Sequence, residues 1–411
     1  MAWFGWVAAM SSFWAATVGR GLADARSARS QLTAAPQSAR WSSREVRRAA
    51  ATRPGFYPAY LSLYYNDLFE VTLPPDHKFP MAKYREVRLR LQRLLGRTTN
   101  TNTDSRDQGN AVWASFAPSP LASIEDLHTT HCPSYVRAFC EGSLDPMQYR
   151  RIGFPRGHES VNRALSSVGG TVAATRDVCL ALRRQRKGQE PTRPLFAGHI
   201  AGGTHHAFRD RGEGFCAFSD IAVAANVALR DYADVIERIL IVDLDVHQGN
   251  GNAVLFQDQS NVFTLSVHCT ANYFSPKEAS HVDIEVPEGT GDGAYLSLLA
   301  KTLPDIVREF RPDLIFYQSG VDCLKTDRFG KLSLSRGGLQ TRNRLVYEMA
   351  MTDKHTPVPV VVTMGGGYPR DLEVESRSYQ EVVSAHADVY VGAAIASRRL
   401  SRLMERETQL A

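Results

Sequence analysis

The sequence predicts an α/β fold: a central, mostly parallel sheet between helical layers, three layers (α/β/α) in all, forming a single domain. Three observations predict it. Short apolar runs at Ile239–Val242, Leu314–Tyr317 and Pro357–Met364 have the length and composition of strands buried on both faces, as parallel strands are. Each run stops in a polar or glycine-rich cluster. Strands and helices alternate along the chain, the pattern of a parallel sheet covered on both sides.

Residues 1–55 read as a leader foreign to that fold. Ala2 to Gly19 carries no charge and includes Trp3, Trp6 and Trp14. The stretch that follows, to Arg53-Pro-Gly55, is rich in Arg, Ser and Ala. The leader holds eight Arg, no Lys and two acids, a net charge of +6 against +5 for the whole chain. Such a composition suits an organellar transit peptide, for a mitochondrion or plastid. A signal sequence, a marginal membrane anchor and a dispensable extension on a nuclear or cytoplasmic protein are the competing readings. The Ser and Thr content argues against a stable membrane span. The remaining residues sum to −1, so the body has no basic character with which to bind nucleic acid directly.

The catalytic domain is expected over 56–405. Met81 to Leu95 reads as a helix. Gly96 to Gly109 is a low-complexity polar loop. Arg183 to Lys187 reads as a solvated helix end. Pro194–Gly198 is a further strand, leading into Gly202-Gly-Thr-His205-His206. Ile239–Val242 leads into Asp243, Asp245 and His247, and Gly249 and Gly251 allow a tight exit. Leu314–Tyr317 leads to Asp322, and Pro357–Met364 to Gly365-Gly-Gly-Tyr368. A last helix covers Tyr379 to about Met404. Six scattered cysteines, with no Cys-x-x-Cys pair, give neither a disulfide framework nor a zinc ribbon. Cys323, beside Asp322, is a candidate for oxidation.

Alternate residues of an extended chain share a side, so Asp243, Asp245 and His247 should converge at the carboxyl end of a central strand. Open α/β sheets bind their ligands there. Four such strand endings point to one site. Asp245, His247 and Asp322 offer a metal one nitrogen and two carboxylates and leave a position open, the pattern of a catalytic zinc. Mixed N/O ligation suits ferrous iron as well. His205 and His206 can serve as general base and acid. Tyr368 can donate to a developing oxyanion. Together these define metal-assisted hydrolysis of an amide. The bland readings (a capped strand end, loop histidines, a glycine turn) account for each cluster singly but not for four at one edge. Asp327 and His268 read as structural. His77, His128, His131, His158, His199, His281, His355 and His386 show no paired spacing and read as structural or exposed.

Gly202-Gly-Thr-His-His206, Gly214-Phe-Cys216, Asp243 through Gly251, Gly320-Val-Asp322 and Gly365-Gly-Gly-Tyr368 resemble, in order and spacing, the motifs of the zinc-dependent histone deacetylase family. The resemblance covers roughly residues 57 to 400 and is nearest to the class IV branch, on Gln248, Asn250 and the stretch Gly320 to Gly330. It implies an arginase/deacetylase-like fold and hydrolysis of N6-acyl-lysine on a histone or other protein. It assigns Asp245, His247 and Asp322 to zinc and makes His205 and His206 the acid/base pair, oriented by Asp243 and Asn250. It gives Tyr368 the substrate carbonyl. Gly214, Phe215 and Gly366 go to substrate binding, and a structural potassium ion to the vicinity of Asp243, Asp245, His247 and Ser266. Class IV brings long fatty-acyl groups within range.

A carboxylate partner favours an imidazolium, and a neutral amide does not. His206, beside Asn250, is therefore expected to be the base, and His205, beside Asp243, the electrostatic stabiliser. Two alternatives stand beside lysine deacylation: a hydrolase of the same fold acting on acetylpolyamines or other small amides, and a non-catalytic acyl-lysine-binding scaffold.

Overall fold

The structure, a computed structural model, describes residues 59–96, 113–189, 194–272, 275–352 and 357–410, with side chains to residue 403. The leader and nearly all of the polar loop after Gly96 lie outside the described residues, as does His355. In chain order the elements are β1 (Leu61–Tyr65), α1 (Lys83–Leu95), β2 (Ala114–Pro118), α2 (Ile124–His128), α3 (Pro133–Glu141), α4 (Pro146–Ile152), α5 (His158–Arg186) and β3 (Phe196–Ile200). There follow α6 (Asp220–Asp231), β4 (Ile239–Asp243), α7 (Asn250–Phe256), β5 (Val262–Cys269), β6 (Val282–Val286), α8 (Asp292–Phe310), β7 (Leu314–Gln318), α9 (Arg336–Ala350), β8 (Val360–Thr363) and α10 (Arg377–Leu410).

All eight strands form one sheet in the order β2-β1-β3-β8-β7-β4-β5-β6. Every pairing is parallel, which goes beyond the mostly parallel sheet expected. A purely parallel sheet needs cover on both faces. Here α5 lies against β1, β3 and β8 with α6 beside it, and α10 lies against β1 and β3 with α1 and α9 beside it. Every residue of β3, β4, β7 and β8 is buried as a result. Each buried Val, Leu or Ile in such a layer contributes about 1.5–3 kcal/mol.

The chain lays β1 to β3 on one side of the sheet and β4 to β6 on the other, then returns to fill the gap with β7 and β8. The four central strands β3, β8, β7 and β4 are the four whose carboxyl ends carry the motif clusters. Reversal of strand order beside them opens a crevice at that edge, where α/β sheets hold ligands.

Local signals account for the helix starts. Ser219 and Ser335 accept the Ala222 and Gly338 N–H groups that open α6 and α9, and Asp145 with Gln148 forms a capping box on α4. Several boundaries differ from expectation, among them the strand expected at Pro194–Gly198, which is Phe196–Ile200. The first helix starts at Lys83 rather than Met81, the last strand contracts to Val360–Thr363, and the last helix runs past Met404 to Leu410. The basic run at the end of α5 is tethered rather than merely solvated: Arg183 bonds Asp234 and the Asp231 carbonyl, and Arg186 meets Asp313 at 3.0 Å. Among the described residues no helix is long and apolar enough to cross a membrane.

Candidate active site

β4 ends at Asp243, and the next residues bend. The convergence of Asp243, Asp245 and His247 therefore does not come from strand alternation. Asp243 Oδ1 accepts the Asp245 N–H at 3.1 Å, and Asp245 Oδ1 accepts the His247 N–H at 3.0 Å. Carboxylates bonding backbone two residues onward make successive Asx turns, which curl the chain tightly. The turns send Asp243 toward His205 and put Asp245 and His247 together with Asp322. Asp322 arrives from the end of β7 and is held by the Val246 N–H at 3.0 Å.

Asp245, His247 and Asp322 offer ligand atoms all within 4.8 Å of one another. Their polar surroundings fit a cation. His247 Nδ1 lies 3.1 Å from Asp245 Oδ1 and 3.2 Å from Asp322 Oδ2. Asp322 is fully buried, with His247 Nδ1 beside its Oδ2. Burial, then the charge of neighbouring Asp245, pushes the Asp322 carboxyl upward. Burial, then the charge of Asp322, does the same to Asp327. Burial alone would lower His247, yet hydrogen bonds to the two aspartates hold it up at about 10. Several buried acids with too little positive charge among them are the electrostatic signature of a cation site.

The tandem histidines follow β3. Asp220, fully buried at the start of α6, accepts the Gly203 N–H at 3.0 Å, the Thr204 N–H at 2.7 Å and the Thr171 hydroxyl at 2.6 Å, and so fixes this loop. His205 and His206 lie side by side with ring centroids 4.0 Å apart. His205 Nδ1 meets Asp243 Oδ2 at 2.7 Å, and His206 Nδ1 meets Asn250 Oδ1 at 2.8 Å. Burial opposes charge on both rings. At His205 the charges of Asp243 and Asp245 overcome it and raise the imidazole to about 9. At His206 the neighbouring His205 and His247 add to burial, and its pKa falls well below the usual value. The surroundings thus favour charge on His205 and oppose it on His206.

Gly249 and Gly251 do not use left-handed backbone: Gly249 has φ −74° and Gly251 lies in α7. They are needed for close approach. A Cβ on Gly249 would run into the Asp243 carboxylate, and one on Gly251 into the carbonyls of His205 and Ala207.

Phe215 has φ 65° and sits in an aromatic cluster with Phe79, Phe154 and His77, its ring 6.2 Å from that of Tyr368. Phe79, Phe154, Phe215 and Tyr368, with Gly214 and the glycine loop, line the same pocket as His205, His206, Asp245 and His247. Gly366 lies beneath the aspartates: its N–H donates to Asp245 Oδ2 at 2.8 Å. Ser266 is in register with Asp243 on β5, and its hydroxyl is 3.0 Å from His268 Nδ1.

Sequence reasoning missed several residues that hold the site. Lys83 is buried at the start of α1. Its ammonium donates to the Gly367 carbonyl at 3.0 Å and stands 5.1 Å over the Tyr368 ring. Burial lowers its pKa to about 8 against the pull of Asp322, Asp327 and Asp245. Arg342 of α9 is fully buried and donates to the carbonyls of Leu244 at 3.0 Å, Gly320 at 2.7 Å and Ser319 at 2.9 Å. Glu213 accepts from Asn250 Nδ2 at 2.9 Å. No spacing rule marks these residues: Lys83 and Arg342 reach the site from distant segments, and Glu213, though beside a motif, meets a partner 37 residues away. Cys323 corrects an expectation: it is fully buried, its thiol donates to the Leu244 carbonyl, and burial pushes its pKa well up. It is no oxidation site in the folded protein.

A family description of the histone deacetylase domain matches residues 83–386. The chain belongs to the histone deacetylase family. An uncharacterized protein of Picosynechococcus sp. is 38% identical over 326 residues, which are 79% of this chain and 98% of that protein. Histone deacetylase 2 of Arabidopsis thaliana is 34% identical over 204 residues, 49% of this chain and 48% of that one. The acetoin utilization protein AcuC of Staphylococcus aureus is 30% identical over 182 residues, 41% and 46% of the two chains. The match thus spans about half the length of each of the two named relatives. Membership in the deacetylase family makes this chain a deacetylase-like hydrolase of carbon–nitrogen bonds other than peptide bonds. The family is typically zinc-dependent, and Asp245, His247 and Asp322 are the residues that could hold the ion.

Proposed function

We propose that the protein removes the acyl group from N6-acyl-lysine side chains of proteins, with zinc held by Asp245, His247 and Asp322. The observation that carries this reading is the meeting of that ligand set with His205, whose surroundings favour charge, His206, whose surroundings oppose it, and Tyr368 in one aromatic-walled pocket. An aromatic wall suits the methylene stem of a lysine. When bound, the ion would polarise the acyl carbonyl and acidify the attacking water. His206, with its proton on Nδ1, offers Nε2 as the base that takes a proton from that water. His205 and the Tyr368 hydroxyl stabilise the developing oxyanion. The proton then passes to the lysine nitrogen, which leaves as the amine.

Kinship with class IV, and with it activity on long fatty-acyl chains, is part of the same proposal and is supported by Gln248 and Asn250. So are a structural potassium near Asp243 and Ser266, and an organellar address for residues 1–55, supported by their arginine-rich, acid-poor composition.

The test is hydrolysis of a lysine-peptide panel, acetyl through myristoyl, by the zinc-loaded protein, with Tyr368→Phe as control. The expected result is turnover that drops at least ~100-fold in the control, in line with the loss of one oxyanion donor. Absence of turnover on every peptide with metal bound would rule out the acyl-lysine reading and leave small amides or a binding scaffold.

A further inference from the structure

The side chain of Asn250 is assigned at both ends. Its Oδ1 accepts the Gly251 N–H at 3.0 Å, and its Nδ2 faces Glu213 Oε1 at 2.9 Å. A backbone N–H can only donate and a carboxylate can only accept, so the amide has one consistent orientation. That orientation presents an acceptor, Oδ1, to His206 Nδ1 at 2.8 Å. The proton of neutral His206 must then sit on Nδ1, which leaves the Nε2 lone pair facing the pocket.

Glu213 is 8% exposed and begins a tight turn closed by its pairing with Cys216. The turn is seated by the Gly214 N–H on the Arg151 carbonyl at 3.0 Å and the Phe215 N–H on the Ile152 carbonyl at 2.8 Å. Gly214 and Phe215 have φ of 58° and 65°, and a Cβ on Gly214 would come within 2.7 Å of His206 Cδ2. One turn therefore sends the Phe215 ring into the channel and the Glu213 carboxylate behind Asn250.

We propose that Glu213 is a positioning residue, whose carboxylate sets the Asn250 amide and, through it, the tautomer of His206. The activity readout below rests on the acyl-lysine hydrolase reading; the spectroscopic readout does not. The arrangement also explains why residue 250 is an amide. A carboxylate there would face Glu213 at hydrogen-bond distance, and two buried carboxylates that close cannot both be ionised. The negative charge stands one residue further from His206 than it would with an aspartate at 250, and moving it inward should require removing it from 213.

The experiment compares five full-length, zinc-loaded proteins: wild type, Glu213→Gln, Glu213→Ala, Asn250→Asp and the double variant of Glu213→Gln with Asn250→Asp. Glu213→Gln keeps an acceptor for Asn250 and should stay within about threefold of wild type in kcat/KM. Asn250→Asp should cost roughly thirtyfold when Glu213 is present and less than about threefold in the Glu213→Gln background, the non-additivity of groups in one network. A merely structural glutamate would give equal costs in both backgrounds, and that result overturns the proposal. The 15N imidazole spectrum of His206, recorded without substrate, should show the Nδ1–H tautomer in wild type and a mixture in Glu213→Ala. An Nε2–H tautomer in wild type, or an unchanged population in Glu213→Ala, also overturns it. Bound zinc and melting temperature report whether each variant has folded. A wild type inactive on every peptide would sink the proposed function while leaving the tautomer test standing.

Discussion

The Asp327 carboxylate accepts the backbone N–H of Tyr368 at 2.7 Å, and the Arg328 N–H returns a bond to the Tyr368 carbonyl at 2.9 Å. The loop after β7 and the loop after β8 are thereby locked to each other. Asp327 also accepts the Phe329 and Gly330 N–H groups, at 2.8 and 2.9 Å, so three backbone donors depend on one side chain that is 3% exposed. Its structural role sets the place of the tyrosine. Asp327→Ala is expected to lower kcat/KM by about 10- to 100-fold through misplacement of Tyr368, with zinc content unchanged. Kinetics and metal analysis on the same sample decide it. Parallel loss of zinc would mean that Asp327 supports the ligands instead.

Removing the metal should be felt as lost stability as well as lost activity. An ion that binds only the folded chain stabilises it by about 4 kcal/mol at a thousandfold excess over its dissociation constant. The chelator-treated protein should therefore melt lower and recover on adding zinc. His247→Ala and Asp322→Ala should melt at the same temperature with and without zinc. An equal zinc-dependent rise in these variants would place the ion elsewhere.

His131 and His199 contribute to a pH dependence of stability. His131 bonds the Phe208 carbonyl through Nδ1 at 2.8 Å, and His199 lies between the hydroxyls of Ser119, at 2.9 Å, and Thr171, at 3.0 Å. Burial lowers their pKa values to about 4 and about 3. A histidine with a depressed folded pKa binds its proton more readily when unfolded. Its contribution is full above the unfolded value near 6.5 and is lost as pH falls below it. Each should steepen the loss by up to about 1.4 kcal/mol per pH unit. Urea unfolding between pH 7.5 and 5 is expected to show this, and His131→Asn should flatten the slope. An identical slope in wild type and variant would show that His131 does not titrate on unfolding.

The parts of this molecule that were legible in the sequence are those in which chemistry coincides with a local pattern. Ile239–Val242 reads as a buried strand because four aliphatic residues in a row fit nothing exposed. Asp245, His247 and Asp322 read as ligands because their side chains have few other reasons to sit at strand ends. What was not legible depends on contacts between segments far apart in the chain. Arg342 looks like any helix arginine until three carbonyls from two loops are seen around it. Glu213 lies next to a recognised motif, yet its partner Asn250 is 37 residues away. The curl at 245–247 escaped because i, i+2 spacing arises from a strand and from successive Asx turns alike. The side-chain bonds that distinguish them leave no trace in the spacing.

The order of the strands in the sheet also bears on how the molecule comes into being. β3 and β4 are consecutive in the chain but separated in the sheet by β7 and β8, the last two of the described strands. Until residue 363 exists, the first three strands and the next three share no edge, and the unpaired flanks of β3 and β4 are open to other chains. Asp322 and Tyr368 follow those same late strands, so the candidate ligand set is complete only once residue 322 exists, and Tyr368 is added only after β8. Closing the sheet and adding Tyr368 to the candidate site thus fall to one short stretch of chain, residues 360–368.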